Sequence, residues 1–152
     1  MVGRVIAVRR ASVGLRESLG RFQTARQAQL IDHVTTSAIE ATMWVTVLDE
    51  LRGTSSSDQA KYRQERDAHS DGRFVLGLRH ARNRGVHAFA ADQKWDAVAT
   101  GWTICWAATE HAEDRSEVVK AYNSHLAGVS VIDSLCAAAR WLDVMLIVRS
   151  PS

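Results

Sequence analysis

The chain has 152 residues, which is enough for one domain with a hydrophobic core and too few for two ordinary domains. Apolar residues make up 46% and charged residues 24%, a globular composition that argues against disorder. The formal charge of +2 excludes a polycation, and no window approaches the ~18 apolar residues needed to cross a bilayer. We therefore expect a single cytoplasmic domain over residues 1–152 that makes no contact with a membrane.

The positive charge comes mainly from arginine, and it is distributed unevenly along the chain. Residues 1–30 hold six arginines against one acid, Glu17, and a second group without an acid contains Arg73, Arg79, Arg82 and Arg84. Arginine suits bidentate contacts with phosphate. The same bias is also the ordinary product of a GC-rich genome, and composition does not separate the two interpretations.

The first clear helical pattern covers residues 24–52, after a basic N-terminal segment at 1–23. Its apolar seam has the spacing of a long helix that packs on a neighbour, and it consists of Ile31, Val34, Ala38, Ala41, Val45 and Leu48. Arg52 and Gly53 then provide a C-terminal stop. The next stretch, DQAKYRQERDAH, has almost no apolar residue, so an exposed helix and a mobile connector both fit it.

The second half of the chain predicts further helices and one short strand. Ser70 or Asp71 can cap a helix whose packed face is Phe74, Leu78, Ala81 and Gly85. Alternation of Trp102, Ile104 and Trp106 with polar neighbours fits a strand, although a helix also fits residues 95–110. Two helices follow. The first ends at Gly128. The second starts from a Ser130–Asp133 capping box, and its apolar stripe consists of Ile132, Leu135, Ala139, Leu142 and Leu146.

These elements together predict a mainly α fold. We expect a helical bundle whose core spans residues 24–148, with room for one short β-strand pair near residues 100–110.

The segment LRHARNRGVHAF combines residues that can carry out chemistry. His87 is of the type that takes and gives protons near neutral pH, and Arg82 can hold a phosphate and stabilise charge on it. Five residues of regular helix would leave these two side chains about 140° apart. Gly85 lies between them and can end the helix in a left-handed turn, which would let His87 approach Arg82.

The run from Arg82 to His87 resembles the R-x4–6-H motif of the HEPN superfamily, helical proteins in which a polar residue, often asparagine, follows the arginine. Here that residue is Asn83. The surrounding sequence is similar to the HEPN-like form found in uncharacterised actinobacterial and phage proteins. With the preceding WVTVLDELR helix and the later AYNSHLAG segment, the resemblance covers most of residues 30–146.

The resemblance implies a HEPN-like homodimer in which two copies of the motif form one composite site. Catalytic members are metal-independent endoribonucleases of toxin–antitoxin, phage-defence and RNA-processing systems. By this analogy Arg82 binds the scissile phosphate, His87 acts as general acid or base, and Asn83 orients either of them. Many members add an acidic residue from the preceding long helix, and Asp49 and Glu50 are both candidates. RNA is the implied substrate, with an antitoxin or a nucleotidyltransferase as a further partner.

Three neighbouring residues, Arg79, Arg84 and His80, are candidates for an extended nucleic-acid-binding patch, although His80 also suits an exposed surface position. We expect no metal and no cofactor. Cys105 and Cys136 lack zinc-ligand spacing, and the chain has no HExxH, P-loop, GxGxxG or GxSxG motif.

Two other interpretations remain open at this stage. A non-catalytic helical dimer would use the same arginine-lined groove to bind nucleic acid or a protein partner. In a purely structural protein, Arg82 and His87 would cap a helix and fill a polar boundary.

Overall fold

Helices make up most of the chain in the computed structural model, which describes residues 2–52, 56–83, 93–98, 101–106 and 116–148. The helices are α1 (Val2–Gln27), α2 (Ile31–Glu50), α3 (Ser56–Ala68), α4 (Ser70–Asn83), α5 (Glu117–Ala121) and α6 (Val131–Val148). A π-helical turn, Tyr122–Leu126, continues α5, and strands β1 (Gln93–Val98) and β2 (Gly101–Trp106) pair antiparallel. The predicted mainly α bundle is confirmed. None of the described helices combines the length and apolar character needed to span a bilayer.

The long helix predicted at 24–52 is wrong at its start, because the chain turns between α1 and α2. Gln29 has a left-handed φ of 57°. The Leu30 N–H donates to the Ala25 carbonyl at 2.9 Å, and the Gln29 N–H donates to Arg26 at 3.1 Å. These two bonds form a Schellman motif, which ends α1. The seam of α2 then starts at Val34, since Ile31 is 48% exposed.

Helix α1 is part of the bundle and packs along α2. Its buried face has helical spacing and contains Ala11, Leu15, Phe22 and Ala25. The Arg4 guanidinium donates to the Leu51 carbonyl at the far end of α2, so the two helices are antiparallel. The division between a basic segment and a bundle core at residue 24 therefore has no counterpart in the fold. The basic residues other than Arg4 instead lie on the exposed face of a core helix.

A close approach between α1 and α2 depends on Gly14. A Cβ added at this position would lie 2.4 Å from Cε2 of Trp44, which is far inside van der Waals contact. The Trp44 ring therefore occupies the space that any other residue type at position 14 would need.

Gly14→Ala should lower the free energy of unfolding by about 1–3 kcal/mol, because the new methyl group forces the Trp44 ring to move. Gly20 is a matched control in the same helix, since a Cβ there meets nothing within 4 Å. Gly20→Ala should be stabilising by up to about 1 kcal/mol through helix propensity alone. Urea denaturation followed by circular dichroism measures both changes. Equal effects of the two substitutions would contradict the Gly14–Trp44 contact.

The polar stretch at 58–69 is mostly helical, because α3 runs from Ser56 to Ala68. The interpretation of this stretch as a helix is therefore confirmed, and its interpretation as a mobile connector is not. Most of its side chains are exposed, but Tyr62 and Arg66, one turn apart, are buried. These two residues connect α3 to the rest of the bundle.

Helix α4 begins at Ser70, but neither of the predicted capping residues caps it. The backbone N–H of Asp71 donates to Nδ1 of His69 at 3.1 Å, and the His69 ring stacks on Trp141 with 4.8 Å between centroids. The stacked imidazole is fixed next to the free N–H groups of the first turn, and it replaces the usual hydroxyl or carboxylate. Along α4, the predicted packed residues Leu78 and Ala81 are fully buried.

The strand predicted from the tryptophan alternation is β2, and its partner β1 lies before residue 100. Trp106 is fully buried and donates from Nε1 to Oγ of Ser134 at 2.8 Å. The hairpin is thereby attached to α6. Gly128 has a φ of +79° and ends the preceding turn as predicted. The Asp133 N–H donates to Oγ of Ser130 at 3.4 Å, at the predicted start of α6.

Candidate functional site

The predicted site residues that the structure describes lie in the last turns of α4. They are Arg79, His80, Arg82 and Asn83, and the last two are exposed. Arg84, Gly85 and His87 lie outside the described residues. The approach of His87 to Arg82 and the turn at Gly85 therefore stay predictions.

The C-terminal end of α2 lies against this end of α4 and provides two acids. Glu50 Oε1 accepts a hydrogen bond from Nη1 of Arg82 at 2.6 Å, with side chains 47% and 40% exposed. Asp49 Oδ2 accepts from Nη1 of Arg79 at 3.1 Å. The sequence left the choice between the two acids open. The structure gives each acid a different arginine, and Glu50 is the one that contacts the motif arginine.

Asp49 is also the centre of a buried cluster. Its side chain is only 1% exposed. The Tyr62 hydroxyl donates to Oδ1 at 2.8 Å, and Nη1 of Arg66 lies 3.2 Å from both carboxylate oxygens. A buried carboxylate without partners would be strongly unfavourable, so these contacts with α3 and α4 are what permit its burial. The cluster joins α2, α3 and α4 at one point.

Burial and the Asp49 charge together determine the protonation of the other cluster members. Burial raises the pKa of Tyr62, and the negative charge of Asp49 raises it further, so the hydroxyl stays a neutral donor. Burial alone would lower the pKa of Arg66. The hydrogen bond to Asp67, at 2.8 Å, and the charge of Asp49 outweigh burial, so the pKa of Arg66 is raised. Arg66 therefore remains a cation inside the protein.

A pocket of about 160 Å³ opens beside this cluster, and we call it the arginine pocket. Four of its lining residues are arginines and two are acids, a formal charge of +2. The lining consists of Asp49, Glu50, Arg52, Gln59, Tyr62, Arg63, Arg66 and Arg79. Arg52 is 7% exposed and donates from Nη2 to the Leu142 carbonyl at 2.7 Å, so it also connects α2 to α6. Such a concentration of guanidinium groups suits an anion.

His80 lies half-buried against Tyr122, with 5.1 Å between ring centroids in an edge-on arrangement. This position favours a packing role over the exposed surface position that the sequence allowed. Its contact with nucleic acid stays a prediction.

The sequence did not identify Tyr62, Arg63 and Arg66 as site residues, because α3 has no apolar stripe. The available signal was a single aromatic residue one turn before an arginine in an otherwise polar helix. That spacing places both side chains on one face.

Within the described ranges, no three His, Cys, Asp or Glu side chains are grouped so that they could hold a metal ion. Comparison of the chain with protein-family models, curated proteins and solved structures gave no match.

Proposed function

We propose that this protein is a HEPN-type, metal-independent endoribonuclease that acts as a cytoplasmic homodimer, in phage defence or as a toxin held by an antitoxin. Arg82 binds and stabilises the scissile phosphate, His87 transfers protons, and Asn83 orients the phosphate or the histidine. A composite site from two copies would place a second His87 on the opposite side of the phosphate.

The observation that carries the proposal is the exposed Arg82 guanidinium and its 2.6 Å contact with Glu50. Glu50 restricts the orientation of Arg82 but occupies only some of its five N–H donors, so others remain for a phosphate. Asn83 is exposed next to Arg82. The neighbouring Arg79 is held by the buried Asp49. Positive charge at this end of α4 is thus both accessible and oriented, which is what electrostatic stabilisation of a transition state requires.

The proposed reaction needs only these side chains and the RNA itself. His87 removes the proton of the ribose 2′-hydroxyl, and the resulting oxygen attacks the adjacent phosphorus. Arg82 stabilises the negative charge that develops on the phosphoryl oxygens. The bond to the 5′-oxygen then breaks, and that oxygen takes a proton from the second histidine or from water. The products would carry a 2′,3′-cyclic phosphate and a 5′-hydroxyl.

RNA cleavage by purified protein in excess chelator tests the proposal. Wild type should cleave, and His87→Ala should not. His33→Ala is the matched control, because His33 is exposed in the first turn of α2, about 24 Å along the helix from Asp49. Cleavage lost in His87→Ala and kept in His33→Ala would support the nuclease. Equal cleavage by all three proteins, or by none of them on a broad RNA panel, would contradict it.

A second candidate is a non-catalytic dimer that binds nucleic acid or a protein through the same arginine groove. The four arginines of the arginine pocket favour it, because they provide affinity for an anion without requiring His87. In that case Arg79→Ala or Arg82→Ala should weaken RNA binding and reduce the salt dependence by roughly 0.7 in log–log slope per lost phosphate contact. No cleavage would accompany binding.

A further inference from the structure

The arginine pocket has the size of a site for a small ionic group. Its volume of about 160 Å³ is well below the ~300–1,000 Å³ of pockets for drug-sized molecules. A phosphate with its first waters fits this space, whereas a whole nucleotide would have to extend out of it.

The charge of the pocket is positive where a ligand would enter. Glu50 is paired with Arg82, and Asp49 is shared between Arg66 and Arg79, so both acids are neutralised by arginines. Arg63 lines the pocket and is exposed. Among the described residues, no hydrogen-bond or ion-pair partner of its side chain is found. An incoming anion would therefore meet a guanidinium whose donors are available.

The deeper arginines are already oriented. Arg66 donates from Nη1 to Asp49 and from Nε to Asp67, and Arg79 donates from Nη1 to Asp49. Each guanidinium has five N–H donors. These contacts therefore fix the orientation of both groups and leave further N–H donors available to an anion. Because little side-chain entropy remains to be lost, binding of an anion should be more favourable than at a flexible surface arginine.

We propose that the arginine pocket binds a phosphate dianion, and that in the proposed nuclease it holds the terminal phosphate of an RNA whose chain continues to Arg82. A terminal phosphate carries about −1.5 to −2 charges at pH 7, which matches the formal +2 of the pocket, whereas an internal phosphodiester carries one. Arg79 lines the pocket and lies one turn before Arg82 in α4, so the two sites adjoin. Free inorganic phosphate offers the same chemistry.

Calorimetric titration with inorganic phosphate, against chloride at equal ionic strength, tests the pocket without RNA. Wild type should bind saturably, and a concentration ten times Kd should raise Tm by about 3–6 °C. Arg63→Ala should weaken phosphate binding roughly tenfold, because one charge-assisted hydrogen bond is lost. Arg16→Ala, at an exposed arginine of α1, is the control and should bind as wild type does. Arg63 is exposed, so its replacement leaves the buried cluster intact.

Binding of two RNA oligonucleotides that differ only in a 5′-phosphate or a 5′-hydroxyl identifies the source of the phosphate. If wild type binds the 5′-phosphorylated RNA more tightly and Arg63→Ala does not, the pocket binds the terminal phosphate of RNA. Binding of inorganic phosphate without this preference assigns it to the free ion. The proposal is overturned if wild type shows neither property, or if Arg63→Ala retains both. Failure of the nuclease assay alone would leave the calorimetric result standing, because that titration contains no RNA.

Discussion

Asp49→Ala should lower the free energy of unfolding by about 3–5 kcal/mol, whereas Glu50→Ala should lower it by less than about 1 kcal/mol. The two acids are adjacent in α2, and each contacts an arginine of α4. They differ in burial, since Asp49 is 1% exposed at its side chain and Glu50 is 47% exposed. Removing Asp49 leaves the buried Arg66 cation with only its contact to Asp67 among the described residues and leaves the Tyr62 hydroxyl without its carboxylate acceptor. Removing Glu50 leaves Arg82 in water.

Urea denaturation of the two variants at one pH measures this difference. Tyr62→Phe provides a milder third variant for the case in which Asp49→Ala does not fold. It removes only the hydroxyl that donates to Asp49, so we expect a loss of about 1–2 kcal/mol. If Asp49→Ala lowers the free energy of unfolding no more than Glu50→Ala does, the buried cluster does not hold α2, α3 and α4 together.

The adjacent acids also show what the sequence contained and what it did not reveal. Successive residues of a helix point about 100° apart, and Glu50 lies on the exposed side of α2 while Asp49 lies on the buried side. Asp49 lies four residues after Val45, and it therefore continues the seam that the apolar spacing had identified. The sequence alone could not show which arginine each acid meets, because those contacts depend on how α3 and α4 pack.

The parts of the fold that were predictable have strong local periodicity. The α2 seam from Val34 to Leu48 and the Leu78–Ala81 face of α4 are present, and so is a strand, β2, where the alternation predicted one. The end of α1 was not predictable, because its left-handed C′ position is occupied by Gln29 and not by glycine. Without a glycine or proline to mark the break, residues 24–52 read as one continuous helix.

Helix α3 shows the limit of patterns based on apolar residues. The Tyr62 ring lies in the hydrophobic core, and the Tyr62 hydroxyl and the Arg66 guanidinium both donate to Asp49. Polar contacts of this kind have no periodic signature, since the partner carboxylate is more than ten residues away in the sequence. The same residues line the arginine pocket. Neither the pocket nor the packing of α3 on the bundle was therefore predictable from the sequence.

The Asp49 cluster and the Glu50–Arg82 pair divide two tasks between adjacent residues. Asp49 stabilises the junction of three helices, and because it is buried it is inaccessible to a substrate. Glu50 contributes little to stability, as expected of an exposed ion pair, but it contacts the arginine that the proposed mechanism places on the phosphate. Substitutions at Glu50 should therefore change activity more than stability, and those at Asp49 should do the reverse.

In the proposed nuclease, Arg82→Ala should lower kcat by about 10²–10³-fold and also raise KM, because it removes a donor to both the bound phosphate and the transition state. His87→Ala should lower kcat by about 10²–10⁴-fold and leave RNA affinity nearly unchanged, since a proton-transfer group contributes mainly in the transition state. Arg82→Lys should fall between wild type and Arg82→Ala, because lysine retains the charge but not the planar fork.

Steady-state cleavage of one labelled RNA in excess chelator measures these parameters, and product analysis should show a 2′,3′-cyclic phosphate. Arg16→Ala is the matched control for loss of a positive charge, since Arg16 is exposed on α1. Arg82 is exposed and its pair with Glu50 is solvated, so unfolding should not account for lost activity; circular dichroism of each variant checks this directly. If Arg16→Ala and Arg82→Ala reduce cleavage equally, Arg82 acts only through general charge. If His87→Ala weakens RNA binding as much as it slows cleavage, the histidine holds RNA and does not transfer protons.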